Sequence, residues 1–359
     1  MLFALNMLLL MNKEGVPPMS HKTLILGIET SCDDTAAAVV AGGRDILSNV
    51  VSSQDSFHLR FGGIVPEIAS RRHLEVINPV IDEALAKAGI SFNDLDGIAV
   101  THGPGLVGSL LVGVSTAKAL SFTLDLPLVA VNHLEGHIYA NFLTGATISF
   151  PFICLVVSGG HTSLLYVKGH GQVDVLGRTR DDAAGEVFDK IARAMDLGFP
   201  GGPVIDRLAQ QGEAGVFSFP RALMGDEGKM DFSFSGVKTA VLNCIRRERE
   251  KGRKLQLHDL CAAFQDAVVD ALVEKSARAV EQLQPRQFLL AGGVAANGEL
   301  RKRLRLRLLP MGIEVIYPPV ELCTDNAAMI AAAGYYALRQ GRRASPDLNA
   351  EPGLGFENP

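Results

Sequence analysis

The sequence predicts an α/β protein built from two similar halves with a cleft between them. Three observations carry that reading. An apolar run, a polar tip and a second apolar run occur at residues 24–40 and again at 153–167, as if one hairpin were used twice. Segments with strand-like and helix-like apolar spacing alternate through both halves. Glycines number 37 in 359 residues, above the usual share of about 7%, and cluster where such segments end, the places where backbone approaches a ligand.

In chain order, the apolar, β-branched run from Leu24 to Thr30 reads as a buried strand. Ser31 to Thr35 reads as a polar turn and Ala36 to Val40 as a returning strand. Ile64 to Ala88 has helical period. Gly97 to Val100 is a strand that runs into the loop Thr101 to Ser109 and a helix ending near Phe122. Val129 to Val131 is a strand leading into a helix that carries His133. The second half repeats the scheme with Pro151–Val157, a turn at Ser158–Ser163, and Leu164–Val167. A helix follows over Asp181–Leu197, stopped by Gly198, then a sharp turn at Pro200–Pro203 before another helix. Phe232 to Thr239 alternates apolar and small polar residues and reads as a strand or loop edge. Leu257–Leu283 is a long amphipathic helix. Phe288–Ala291 is a strand entering the glycine turn Gly292–Asn297 and a further helix. Val315–Tyr317 is the last strand, and a closing helix starts at Cys323–Asn326, with Thr324 or Asp325 able to cap it. This divides the chain into a non-core leader at 1–21, a first lobe at 22–150, a second at 151–343 and a loose tail at 344–359. Met11 or Met19 offers a later translation start.

Composition narrows the class. Hydrophobic residues make up 47% and charged residues 20%, as in soluble globular proteins, and the net charge of -5 excludes a basic nucleic-acid coat protein. Without Trp and with 6% aromatics, the chain is no stacking platform for single-stranded nucleic acid. Five scattered cysteines form no Cys-x-x-Cys pair, which fits reduced thiols in the cytoplasm and argues against a disulfide framework. The apolar start, Met1–Met11, is too short to span a bilayer and lacks the basic flank of a secretory signal, and no membrane-spanning segment is expected elsewhere.

His133 and His137 stand four residues apart, so on a helix they share a face. Two neutral imidazoles can hold a metal if a third ligand arrives from elsewhere. Ser158–Gly159–Gly160–His161–Thr162, Gly201–Gly202 and Gly292–Gly293, the last with Asn297 at its edge, offer unhindered N–H groups of the kind a phosphate needs. None is a P-loop or a Gly-x-Gly-x-x-Gly fingerprint. Asp181 and Asp182 read as helix-start residues and Asp189 as a polar-face acid. The basic runs 246–254 and 301–307 read as solvated helix faces, with phosphodiester contact as the functional alternative.

Nine stretches in order resemble one family closely. They are Gly27–Thr35, Gly103–Gly108, His133–His137, Val157–Thr162, Asp181–Glu186 with Phe188–Lys190, Pro200–Pro203, Phe232–Gly236, Ala291–Asn297 and Cys323–Asn326, and the family is the TsaD type of tRNA adenosine threonylcarbamoyltransferase. The resemblance implies two duplicated lobes of the actin-like ATPase (ASKHA) type with an inter-lobe cleft. It implies one divalent metal, Fe(II) or Zn, on His133, His137 and Asp325. It sets the adenylate of a donor, threonylcarbamoyl-AMP, against Val156, Val157, Ser158, Gly159, Gly160, Asp189, Gly202, Asp206 and Asn297. It further implies transfer to the exocyclic amine of the adenosine after the anticodon in tRNAs reading codons that begin with A, with TsaB-type and TsaE-type partner subunits and no membrane. Three rivals remain: a metalloprotease, a small-molecule kinase of the same fold with Glu29 as its base, and a non-enzymatic ATP-dependent scaffold. The protease pattern puts Glu next to the first His, whereas Glu135 is two residues on, and no catalytic role is assigned to it.

Overall fold

The computed structural model describes residues 22–58, 61, 63–225 and 230–356, with backbone alone at 55 and 56; the leader at 1–21 lies outside the described residues. The first sheet is built from β1 (Leu24–Glu29), β2 (Asp34–Ala41), β3 (Asp45–Ser53), β4 (Gly97–Gly103) and β5 (Leu128–Asn132), in the order β3-β2-β1-β4-β5. The second contains β6 (Phe152–Val157), β7 (Thr162–Gly169), β8 (Gln172–Arg178), β9 (Gln287–Ala291) and β10 (Glu314–Ile316), in the order β8-β7-β6-β9-β10. Each sheet is an antiparallel three-strand meander followed by two parallel strands, so the duplication extends beyond the hairpin to the whole topology. The third strand of each meander is new relative to the sequence reading. β3 sits at a sheet edge with Asp45, Ile46, Leu47 and Val51 exposed, so its apolar residues mark no single face.

The helices are α1 (Pro66–Ala88), α2 (Val107–Leu124), α3 (His133–Tyr139), α4 (Ala184–Ala194), α5 (Gly201–Ala209), α6 (Ser235–Glu250), α7 (Leu257–Leu283), α8 (Gly298–Leu308) and α9 (Ala327–Arg339), with shorter turns between. α2 is the one described helix long and apolar enough to cross a membrane by composition, where the sequence was expected to hold none; it packs against β4 and α1 in the first lobe. Of the strand or loop edge expected at Phe232–Thr239, Phe232 forms an isolated bridge with Thr179 and the helix α6 takes over from Ser235. Asp181 explains the difference: its carboxylate accepts from the N–H groups of Phe234 (2.8 Å) and Ser235 (3.2 Å) and from both serine hydroxyls, closing the start of α6 from outside. Asp181 therefore caps a distant helix, and α4 begins three residues later than expected.

Alternation along β6 sorts its side chains between two cores. Ile153, Leu155 and Val157 join the second lobe's outer core, while Phe152, Cys154 and Val156 face a central layer shared with Ile25, Ala36 and Val40 of the first sheet. α3 and α9 lie in that central layer. α9 follows the second sheet in sequence yet packs on β1, β2 and β4. Its cap is Asn326, whose Oδ1 accepts from the Met329 N–H at 3.0 Å, and neither Thr324 nor Asp325 takes that role. The tail, whose composition suggests a loose segment, is bonded along the first lobe: Ala344 N–H to Leu128 C=O, Glu351 N–H to His102 C=O, and Asn132 Nδ2 to Gly355 C=O.

Candidate metal and nucleotide site

α3 starts where β5 ends, and Asn132 caps it by accepting from the N–H groups of Leu134 (2.8 Å) and Glu135 (3.4 Å). The helix carries Gly136, which costs about 1 kcal/mol of propensity against Ala. The structure supplies the reason for it. A Cβ there would lie 2.6 Å from Ile330 Cδ1, so Gly lets α3 and α9 touch without moving that side chain. That contact brings the two histidines to the residue just before the α9 cap. The Nε2 atoms of His133 and His137 lie 3.5 and 3.3 Å from Asp325 Oδ1, with ring centroids 4.7 Å apart and planes at 79°. Three ligand atoms thus converge within 4.8 Å.

His133 is fixed from behind. Its Nδ1 lies 3.0 Å from Glu29 Oε2 and 3.2 Å from Ser31 Oγ, which assigns the proton to Nδ1 and leaves the Nε2 lone pair facing Asp325. Glu29 is fully buried. Its Oε1 accepts from Ser31 N–H at 2.5 Å and its Oε2 from Thr101 Oγ1 at 2.6 Å. With both oxygens engaged, Glu29 cannot serve as the base that a small-molecule kinase requires. Sequence reasoning missed it as a supporting residue because it stands over a hundred positions from His133. Glu135 turns away from the triad, its Oε1 accepting from Arg342 at 3.3 Å, so it cannot be a protease base either.

Electrostatics favour a cation at the convergence point. Burial opposes protonation of His133, but the carboxylates of Asp325 and Glu29 outweigh it and raise its pKa to about 9. Burial likewise pushes Asp325 up, yet the two imidazoles outweigh it and hold its carboxyl well below the usual range. His161, on the glycine loop, goes the other way: burial first, and then the neighbouring imidazoles, lower it to about 4. His137 is buried, its Nδ1 has no hydrogen-bond partner and its Nε2 faces Asp325 Oδ1 at 3.3 Å outside hydrogen-bond geometry, an arrangement that suits a ligand. Two imidazoles and a carboxylate fit Fe(II) or Zn.

Beside the triad is a cavity of about 380 Å³. Gly159, Asp189, Gly202, Asp206 and Asn297 line it, together with Gly293 and Thr324. Ser158 and Gly160 flank Gly159 in the same loop, whereas Val156 and Val157, expected at the donor, have their side chains in the cores and are absent from the cavity lining. Gly292 makes the turn possible: its φ is +88°, and a Cβ would sit 2.5 Å from Val157 C=O. The acids differ. Asp189 Oδ1 accepts from Gly201 N–H at 2.7 Å, and burial raises its pKa despite that bond. Asp206 Oδ2 accepts from Gly298 N–H at 3.1 Å, while its buried Oδ1 has no hydrogen-bond partner. Asn297 Oδ1 caps α8 through Leu300 N–H, and its Nδ2 donates to Gln265.

The profile of the tRNA N6-adenosine threonylcarbamoyltransferase family, TsaD, matches residues 45–332. A relative of that name from Symbiobacterium thermophilum is 60% identical over 333 residues, covering 93% of this chain and 97% of its own length. Among solved structures, full-length HypF in its phosphate- and nucleotide-bound form aligns with a TM-score of 0.58 at 13% identity, over 89% of this chain and 56% of its own. The ROK hexokinase of Thermus thermophilus aligns with a TM-score of 0.50 at 17% identity, over 89% and 100%. At such identities these two structures speak to the fold alone, and the fold is the actin-like ATPase type with two lobes.

Proposed function

The chain belongs to the tRNA N6-adenosine threonylcarbamoyltransferase family and is a transferase of tRNA modification; on that premise we propose how its site works. The donor is threonylcarbamoyl-AMP, and the acceptor is the N6 amine of the adenosine 3′ of the anticodon in tRNAs reading codons that begin with A. AMP leaves. One observation carries the reading: the cavity wall ends at Thr324, and the next residue is the triad carboxylate Asp325.

The adenylate occupies the cavity. The unhindered amides of Gly159, Gly160, Gly202 and Gly293 hold its phosphate, since none of these positions has an atom within 4 Å of where a Cβ would stand. The unpartnered Asp206 Oδ1 and the free side of Asp189 accept from ribose hydroxyls. Asn297 shapes the wall, its amide already engaged at both ends. His133, His137 and Asp325 would hold one divalent ion, Fe(II) or Zn, which would supply neutralisation of charge developing on the donor. Glu29 keeps the His133 proton on Nδ1 throughout. The donor is an activated mixed anhydride, so no side chain needs to form a covalent bond to it. With the chain's own charge at -5, docking of tRNA draws on partner subunits of TsaB and TsaE type.

The test is reconstitution of the chain with those partners, threonylcarbamoyl-AMP, ATP and unmodified tRNA, followed by nucleoside mass spectrometry. Threonylcarbamoyladenosine is expected. Its absence with all partners active, or peptide cleavage abolished by His133→Ala, would overturn the reading in favour of another of the rivals.

A further inference from the structure

We propose that Arg301 is a positioning residue that ties the nucleotide wall of the cavity to the metal ligand Asp325, so that nucleotide and metal bind with positive coupling. The proposal rests on the metal and adenylate reading above. Arg301 belongs to the basic run whose sequence suggested a solvated face or a phosphodiester contact, and three other cations of that run are committed to acids. Arg303 pairs with Asp266 and Asp270, Arg307 with Glu274 and Glu281, and Lys302 with Glu299. Arg301 turns inward instead. Its Nε donates to Ala295 C=O at 2.5 Å. Its Nη2 donates to Pro318 C=O at 2.9 Å and to Cys323 Sγ at 3.3 Å, and its guanidinium lies 4.4 Å from the centre of the Tyr317 ring.

Those acceptors sit on the two segments that wall one side of the cavity. Ala295 belongs to the glycine turn that presents Gly293, Ala296 and Asn297, and Pro318 and Cys323 bracket the segment that presents Val320. Cys323 is followed by Thr324, another wall residue, and then by Asp325. One planar group therefore spans from the nucleotide turn to within two residues of the metal ligand. Only a rigid fork can serve three acceptors and a ring face at once, whereas a lysine ammonium is a single point. A nucleotide that orders the glycine turn orders the 318–325 segment through this clasp, and linkage makes the effect reciprocal.

The test is a chelator-competition titration of Zn²⁺, with and without saturating AMP, on the chain in complex with its partners. AMP is expected to tighten Zn²⁺ binding about fivefold or more in the wild type. Arg301→Gln and Arg301→Lys are expected to bind Zn²⁺ and AMP singly within about threefold of wild type while the coupling falls to within about twofold of none. Amide hydrogen exchange over residues 320–324 is expected to rise in both variants. Direct contact between AMP and the ion would leave the coupling intact in both, and that result overturns the proposal. Absence of coupling in a wild type that binds both probes also overturns it, with the site reading left standing. A wild type that binds neither probe refutes the site reading and this inference with it. Should the Arg301 variants fail to fold, Cys323→Ala, which removes only the acceptor nearest Asp325, is expected to reduce the coupling, and an unchanged value counts against the clasp.

Discussion

Glu29 shows how much of a metal site lies behind its ligands. Fully buried, it holds the His133 Nδ1 and the Thr101 hydroxyl on one oxygen and the Ser31 amide on the other. Glu29→Gln keeps the volume but removes the charge and one acceptor. It is expected to weaken metal binding by about 10–100-fold, measured by chelator competition, with little change in AMP binding. Unchanged metal affinity would show that Glu29 does not orient His133. At this scale the sequence was only partly readable. The spacing of His133 and His137 was visible, but Asp325 was reached through family resemblance, since nothing local joins residues about 190 apart. Glu29 was offered as a base because an acid in a strand looks available until its partners are known. Asp206 gained weight for the opposite reason, through an oxygen left without a partner.

Among elements, the α3–α9 contact sets the triad. Gly136→Ala puts a methyl 2.6 Å from Ile330 Cδ1, so the end of that side chain must move, at the low end of the roughly 1–3 kcal/mol that overpacking costs. The variant is expected to lower Tm and to weaken metal binding together, checked by calorimetry and metal titration. A loss of stability with metal affinity intact would mean that the helix contact does not position the histidines. The Asp181 cap of α6 makes a pH prediction. Burial raises its pKa, but the hydroxyls of Ser233 and Ser235 and two amides outweigh this and lower it. A depressed folded value means that the cap stabilises above the ordinary carboxylate pKa of about 3.9 and that this stabilisation is lost as pH falls through the lower folded value. The stability difference between wild type and Asp181→Asn should therefore be flat from pH 7 to about 5 and shrink toward pH 3. A constant difference would remove the charge from the cap. α1 was legible in the sequence because it buries one face, and α7 because its apolar run is long, although the structure buries it nearly all round from Leu260 to Val280. α6 was hidden because its signal, an aspartate 54 residues upstream of Ser235, is tertiary.

The whole molecule repeats one five-strand topology and then breaks the symmetry with α9, which crosses back to the first lobe and lays Asp325 against the histidines. The repeated hairpin was readable because its apolar runs are uninterrupted. The crossing was not, since an alanine-rich helix carries no label saying which sheet it will cover. Ligands from one lobe, a third ligand on the link between lobes and a nucleotide cavity in the other lobe make the site a property of the assembled pair. The most direct measurement is transfer activity against bound metal on the same samples, comparing wild type with His133→Ala in the reconstituted system. Loss of the metal is expected to remove threonylcarbamoyladenosine formation in proportion, with AMP binding retained. A His133→Ala protein that holds no metal and still modifies tRNA at the wild-type rate would contradict the account.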